Sequence, residues 1–343
     1  MRPTFSIIFF TVMSGAGYGL WFLVAVFLLL LWPEIHHGNG LNLILFPDLL
    51  TYGLGAGFVL VSSGLISSLW HLGKPMRAWR AFSQWRSSWL SREGVAAILT
   101  YLPVVALFGA LFNGLWLIPA PAADGDLDSW LWMLTPMKFV TAIALVIGSF
   151  ATVWCTAHIY ASIKPVRAWH NPQVVAGYLL LALFTGALFA WALTSISFDG
   201  TRHLDYLIPL IVALAVAGAI LKLRYWRLVD EGSASTTGDA IGLGALGSVR
   251  SFEQPHTEEN YLTQEMGFRI ARKHSRKLRM ICLLAGFGLP GLLALTSLVF
   301  PAFSTPGAWL ALPIGMLGVF VERWLFFAEA KHAVMLYYGT RNG

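Results

Sequence analysis

Phe5-Ser-Ile-Ile-Phe-Phe-Thr-Val-Met-Ser-Gly-Ala-Gly-Tyr-Gly-Leu-Trp21-Phe-Leu-Val-Ala-Val-Phe-Leu-Leu-Leu-Leu-Trp32 lies in a stretch with no charge from Pro3 to Pro33. A helix needs only about 20 apolar residues to cross a hydrocarbon core of roughly 30 Å, so this run predicts a membrane span. It is too long for the apolar core of a secretion signal and lacks a clear small-residue cleavage site, so it reads as a retained helix. Similar runs recur near 48–70, 94–119, 130–157, 174–195, 204–226, 281–301 and 308–327. Backbone polar groups in lipid must bond within their own segment, which makes each run a helix. The expected fold class is all-α: a bundle of about eight transmembrane helices forming one integral membrane domain over 1–343.

Composition excludes the soluble classes. Hydrophobic residues make up 57% of the chain and charged residues 12%, about half the charged share of a soluble domain. The two cysteines, Cys155 and Cys282, fall in or beside spans without a CxxC spacing, so neither a disulfide framework nor an iron–sulfur site follows from them. With alternating spans, 21 of the 23 Lys and Arg lie on the side of the N-terminus. The positive-inside rule then makes both termini cytoplasmic. The net charge of +6 therefore reads as topology, and no nucleic-acid motif accompanies it. Trp32, Trp70, Trp79, Trp85, Trp89, Trp130 and Trp226 fall at predicted interfaces and read as belt anchors. Gly15, Gly17 and Gly19, with Gly53, Gly55 and Gly57, sit inside spans, where small residues permit close helix packing and a dinucleotide fingerprint has no strand to follow.

The densest polar constellation runs from His71 through Lys74, Arg77, Arg80 and Arg86 to Ser91-Arg92-Glu93. His71 ends one span and Glu93 begins the next, so two titratable groups flank a short loop at membrane depth. A quinone ring needs an apolar slot, a hydrogen-bond donor for its carbonyl and a proton route, and such a pair can supply the last two. The alternative is an interfacial histidine and a first-turn acid on a helix dipole. A haem would need paired axial ligands across the membrane, and His36, His37 and His203 lie in loops. His158, Glu322, Glu329 and His332 stand near span ends and could line the same pocket; Lys138 has no evident partner.

The stretch Ser68-Leu-Trp-His71-Leu-Gly-Lys-Pro-Met-Arg77-Ala-Trp79, followed by Trp89-Leu-Ser-Arg92-Glu93, resembles the hallmark of the DMSO reductase anchor-subunit family, an HLGxPxRA loop closed by a Ser-x-Glu helix start. The resemblance implies a membrane anchor that carries no metal itself. It would exchange electrons between ubiquinone or menaquinone and an iron–sulfur subunit wired to a molybdopterin catalytic subunit. It also implies a quinone site at His71 and Glu93, with Arg77 and Lys74 beside them. The motif loop carries five Lys/Arg and one Glu, which places it and the soluble partners on the cytoplasmic side of the inner membrane. A cytoplasmic partner resembles the sulfite dehydrogenase (sulfite:quinone oxidoreductase) branch, as do segments 251–268 and 322–332. The alternatives are a menaquinol-oxidising anchor of a DMSO or other S- or N-oxide reductase and, more remotely, a transporter, for which no internal repeat is seen. Residues 227–280 read as a flexible linker followed by a helix that runs into span seven and docks the soluble subunits. An anionic-lipid contact explains the basic end of that segment equally well. Arg80, Arg86, His256 and Glu265 are the expected docking residues.

Overall fold

The computed structural model describes residues 3–36, 46–70, 72–116, 136–196, 206–231, 236–247, 249, 252–253 and 270–338. Eight long helices account for most of them: α1 (Phe5–His36), α2 (Phe46–Leu69), α3 (Trp89–Trp116), α4 (Pro136–Ala161), α5 (Pro172–Thr194), α6 (Leu207–Glu231), α7 and α8 (Ser304–Ala328). α7 runs from Ile270–Leu283 through a π-helical turn, Leu284–Gly288, into Leu289–Val299. No strand occurs among the described residues. All eight helices are long and apolar enough to cross a membrane, as the sequence predicts.

Their bounds differ from expectation where charges interrupt an otherwise helical signal. α3 starts at Trp89 rather than 94, which carries Arg92 and Glu93 inside the helix. α6 continues to Glu231, and Lys222 within it is buried. Arg323 is likewise buried within α8. Helix hydrogen bonds satisfy the backbone wherever the chain is in lipid, so α3, α6 and α8 run on through these charged residues.

α1 and α5 form the centre of the bundle and are the most buried of the spans, α3 and α6 the least. They cross where both chains lack a Cβ. A methyl on Gly19 would fall 1.7 Å from the Ala182 carbonyl oxygen, and one on Gly186 would fall 2.3 Å from the Gly19 carbonyl carbon. Gly286 and Gly318 make a similar contact between α7 and α8. Gly17 and Gly57 pack α1 against α2 in the way the sequence predicts, whereas Gly15 faces open space. α5 starts on a strong signal: Asn171 caps it by accepting from the Gln173 N–H at 3.0 Å, and Pro172 occupies the first turn.

The ends that alternation assigns to one side do share one face. Ser67 at the end of α2 donates to the Ser6 carbonyl at the start of α1, at 3.1 Å. The Trp169 indole, between α4 and α5, donates to the Phe326 carbonyl near the end of α8, at 3.0 Å. Trp70, Trp79 and Trp85 are exposed on this face. Trp226 is not a belt residue: it is buried, with the Arg279 guanidinium 5.3 Å from its ring. Trp32 and Trp130 have side chains outside the described residues, as does Lys138. Both cysteines are free and buried.

Candidate functional site

The loop between α2 and α3 is built, not slack. Pro75 starts a 3-10 helix, Pro75–Gln84, whose residues fold back over the start of α3. Three side chains hold it there. The Ser91 hydroxyl donates to the Ala81 carbonyl. Arg92 donates through Nε to the Trp85 carbonyl at 3.0 Å and through a second nitrogen to the Arg86 carbonyl at 2.6 Å. Phe82 packs against the bare Cα of Gly94, where a Cβ would come within 2.6 Å of its ring. Lys74, Arg77, Arg80 and Arg86 stand exposed on the outer side of this roof. His71 lies outside the described residues, as do His256 and Glu265.

Beneath the roof, Glu93 is 5% exposed. Its Oε1 meets the Thr156 hydroxyl of α4, and no ion pair to Glu93 occurs among the described residues. Thr156 lies equally within reach of the Thr152 carbonyl, at 3.0 Å. A hydroxyl has one proton to donate. Thr156 can therefore donate to an ionised Glu93, or donate to Thr152 while accepting from a protonated Glu93, so the contact survives either charge state. Outside this pair, His158 of α4 lies against both Trp89 and Trp154, with ring centres 4.5 and 4.6 Å away, and the Arg92 guanidinium lies 4.4 Å from the Trp89 ring centre. The His158 Nδ1 is 3.0 Å from the Trp154 carbonyl, a contact in which the ring must donate. His158 therefore joins the outer wall of this end of α3 and α4 and does not reach the interior.

The interior behind Glu93 holds a small cavity among α1, α4, α5 and α8, lined by Tyr18, Thr156, Tyr178 and Arg323 among others. It leaves the centre of a water molecule about 20 Å³ of room, enough for one or two waters and too little for a quinone ring. The Tyr18 and Tyr178 hydroxyls are buried here without a hydrogen bond of good geometry among the described residues, although Thr152 lies near the first and Arg323 and Tyr160 near the second. On the far side, Arg323 lies 3.7 Å over the Tyr178 ring and 3.3 Å from Glu322 Oε2, while Lys222 of α6 donates to Glu322 Oε1. Lys222, Glu322 and Arg323 are 6%, 2% and 3% exposed, a fully buried ion triad.

A second ionic knot closes the helix ends nearer the face. Arg279 of α7 binds Asp230 of α6 through two nitrogens at 2.6 and 2.9 Å and Glu329 at the end of α8 at 3.0 Å. Burial raises the Glu329 carboxyl above its ordinary range, and Arg279 offsets part of that rise. Burial lowers His332, whose Nδ1 accepts from the Val334 N–H at 3.1 Å. Neither Glu329 nor His332 lines the cavity behind Glu93. Among the described residues, no group of three or more His, Cys, Asp or Glu could hold a metal ion.

Residues 1–240 match the DMSO reductase anchor subunit (DmsC) family. The chain belongs to that family. As a DmsC-family anchor it is similar along its whole length to the C subunit of the sulfite dehydrogenase of Allochromatium vinosum, with 31% identity over 98% of this sequence and 99% of that one. It is similar in part to the C polypeptide of the anaerobic dimethyl sulfoxide reductase of Escherichia coli, with 28% identity over 56% of this sequence and 62% of that one. No solved structure matches it. The matched region of the anchor includes the roof, Glu93 and Thr156, and it ends before Glu322 and Arg323. Lys222 and Arg323 escaped sequence reading because each stands beside apparent loop residues, and their partner lies 100 positions away for the lysine.

Proposed function

We propose that this anchor transfers electrons between the iron–sulfur subunit of a molybdopterin enzyme and the quinone pool, reducing quinone with electrons from sulfite oxidised on the cytoplasmic side of the inner membrane. The carrying observation is Glu93: a buried carboxylate facing a hydroxyl that tolerates both of its charge states, under a cationic loop pinned to the helix that bears it. The quinone head is assigned to the membrane-depth edge of this site, because the cavity behind it is too small for one. Apolar and aromatic surface is supplied by Trp89 and Trp154, and His71 and Glu93 supply a donor and a proton carrier. Arg77 and Lys74 hold the positive potential of the roof, and Arg80 and Arg86 present it to the soluble partner, with the 227–280 segment as a further docking element. The pocket and the docking face then share one end of the bundle.

Sulfite as electron source is supported by the end-to-end likeness to a sulfite dehydrogenase subunit and by the basic charge of the motif loop. The partial likeness to a dimethyl sulfoxide reductase polypeptide favours the second reading, a menaquinol-oxidising anchor of an S- or N-oxide reductase. The discriminating experiment is sulfite-dependent reduction of a ubiquinone analogue by membranes holding the whole complex, with wild type beside His71→Ala. Activity in the wild type and its loss in an assembled variant supports both the sulfite reading and the site. Full activity in the variant moves the quinone elsewhere. DMSO-dependent quinol oxidation in place of sulfite activity selects the second reading.

A further inference from the structure

We infer that the cavity among α1, α4, α5 and α8 is a hydrated proton relay that joins Glu93 to the Lys222–Glu322–Arg323 triad, an inference that rests on Glu93 serving the quinone site. Four observations converge on it. The cavity has room for water and walls of mixed character that include Thr11, Ser14, Thr156, Thr185 and Arg323, and the Tyr18 and Tyr178 hydroxyls are buried there without a hydrogen bond of good geometry among the described residues. Buried hydroxyls in such a setting are ordinarily satisfied by internal water. Thr156 lines the cavity and touches Glu93, so its hydroxyl stands between the water and the carboxyl. Gly15 also lines the cavity, and a Cβ there would meet no atom within 4 Å, so the absence of a side chain is what leaves the space open.

The other end of the path is charged and leads back to the aqueous face. Arg323 borders the cavity and contacts Glu322, Glu322 contacts Lys222, and Lys222 lies 4.8 Å from the Tyr225 ring centre. About two helical turns further along α6 stands Asp230, in the Arg279 and Glu329 knot at the helix ends. The direct route to Glu93 from that face is covered by the roof, on which the soluble subunit would sit. Reducing a quinone to a quinol takes two electrons, supplied by the iron–sulfur partner, and two protons. For each of the two protons in turn, Glu93 gives a proton to a quinone oxygen and regains one through Thr156 from cavity water, which is replenished past the triad, whose own charges stay fixed. Tyr18, Tyr178 and Arg323 position that water and do not touch the quinone.

The test uses the complete complex in membranes. Gly15→Val fills the cavity without a clash at its Cβ, and Gly109→Val, another position with open space around its Cβ, is the control. The relay predicts that Gly15→Val lowers quinone turnover by about tenfold or more, as loss of an assisted proton transfer does. KM for quinone stays at the wild-type value and the solvent deuterium effect on turnover grows; Tyr18→Phe with Tyr178→Phe gives the same pattern, and Gly109→Val does not. Wild-type turnover and isotope effect in Gly15→Val, while His71→Ala is inactive, overturns the relay and leaves the quinone site standing. A raised KM with an unaltered isotope effect also overturns it, marking the cavity as structural. Full turnover in His71→Ala removes the quinone site and the relay together.

Discussion

Among the described residues two glutamates, Glu93 and Glu322, are fully buried in the bundle, and they are kept in opposite ways. Glu322 is gripped by two cations, one from its own helix neighbour Arg323 and one from Lys222 across the interface with α6. Glu93 is met by a threonine hydroxyl and by no ion pair among the described residues. A carboxylate between two buried cations is fixed in its charge, because neutralising it would leave like charges facing each other in a low-dielectric interior. A carboxyl that bonds to a hydroxyl can gain and lose a proton with the same partner. Burial alone therefore does not mark a functional acid; what faces it does. On this reading Glu322 ties α6 to α8, and Glu93 is the group available for chemistry.

Removing the charge from each glutamate separates the two roles. Glu322→Gln leaves Lys222 and Arg323 buried without an anion, which is expected to cost about 3–5 kcal/mol and to show as a large fall in thermal stability in detergent. Lys222→Met should be far milder, within about 1–2 kcal/mol, because Glu322 and Arg323 still neutralise each other. If the lysine variant proves as damaging as the glutamine variant, the triad does not act as a charge balance. Glu93→Gln reverses the pattern. The amide still bonds to Thr156, so stability should shift by no more than about 1 kcal/mol. Quinone turnover should fall by about a hundredfold, since a proton carrier is gone. A Glu93→Gln complex that unfolds like Glu322→Gln would place both acids in the same structural class.

The bundle was legible in the sequence because a membrane helix is declared by local composition. The run from Phe5 to Trp32 needs no knowledge of its neighbours to be read as a span, and its glycines mark it for close packing without naming the partner, which the Gly19–Gly186 contact shows to be α5. The site was legible only in part. The motif pointed to Glu93, yet its partner Thr156 lies 63 residues away in a stretch where a threonine bonding to its own helix is unremarkable. Lys222 and Arg323 were hidden for a different reason. Charge near a span end is read as a loop signal, and that rule fails where a tertiary partner such as Glu322 draws a cation inward. Trp226 misled similarly: a tryptophan at a helix end reads as a belt residue, but here Arg279 covers it.

Glu329 lies between the two cases and sharpens the contrast with the smallest effect. It sits at the end of α8, mostly buried, and pairs with Arg279, which it shares with Asp230. Burial outweighs that shared partner and raises its carboxyl, so the folded state holds a proton more tightly than the unfolded chain does. The sign follows from linkage: the native state binds more protons than the unfolded state in the interval above the ordinary glutamate value, so stability is fully present below that interval and declines as pH rises through the raised value. Glu329→Gln removes the titration. It should flatten this part of the pH dependence and change stability near neutrality by less than about 1 kcal/mol, measured as thermal unfolding in detergent across mildly acidic to neutral pH. Were the wild-type protein instead to gain stability with rising pH and lose that gain in Glu329→Gln, the Arg279 pairing would outweigh burial. Glu329 would then stand with Glu322 as a fixed charge, and the division between gripped and free carboxylates would lose its middle case.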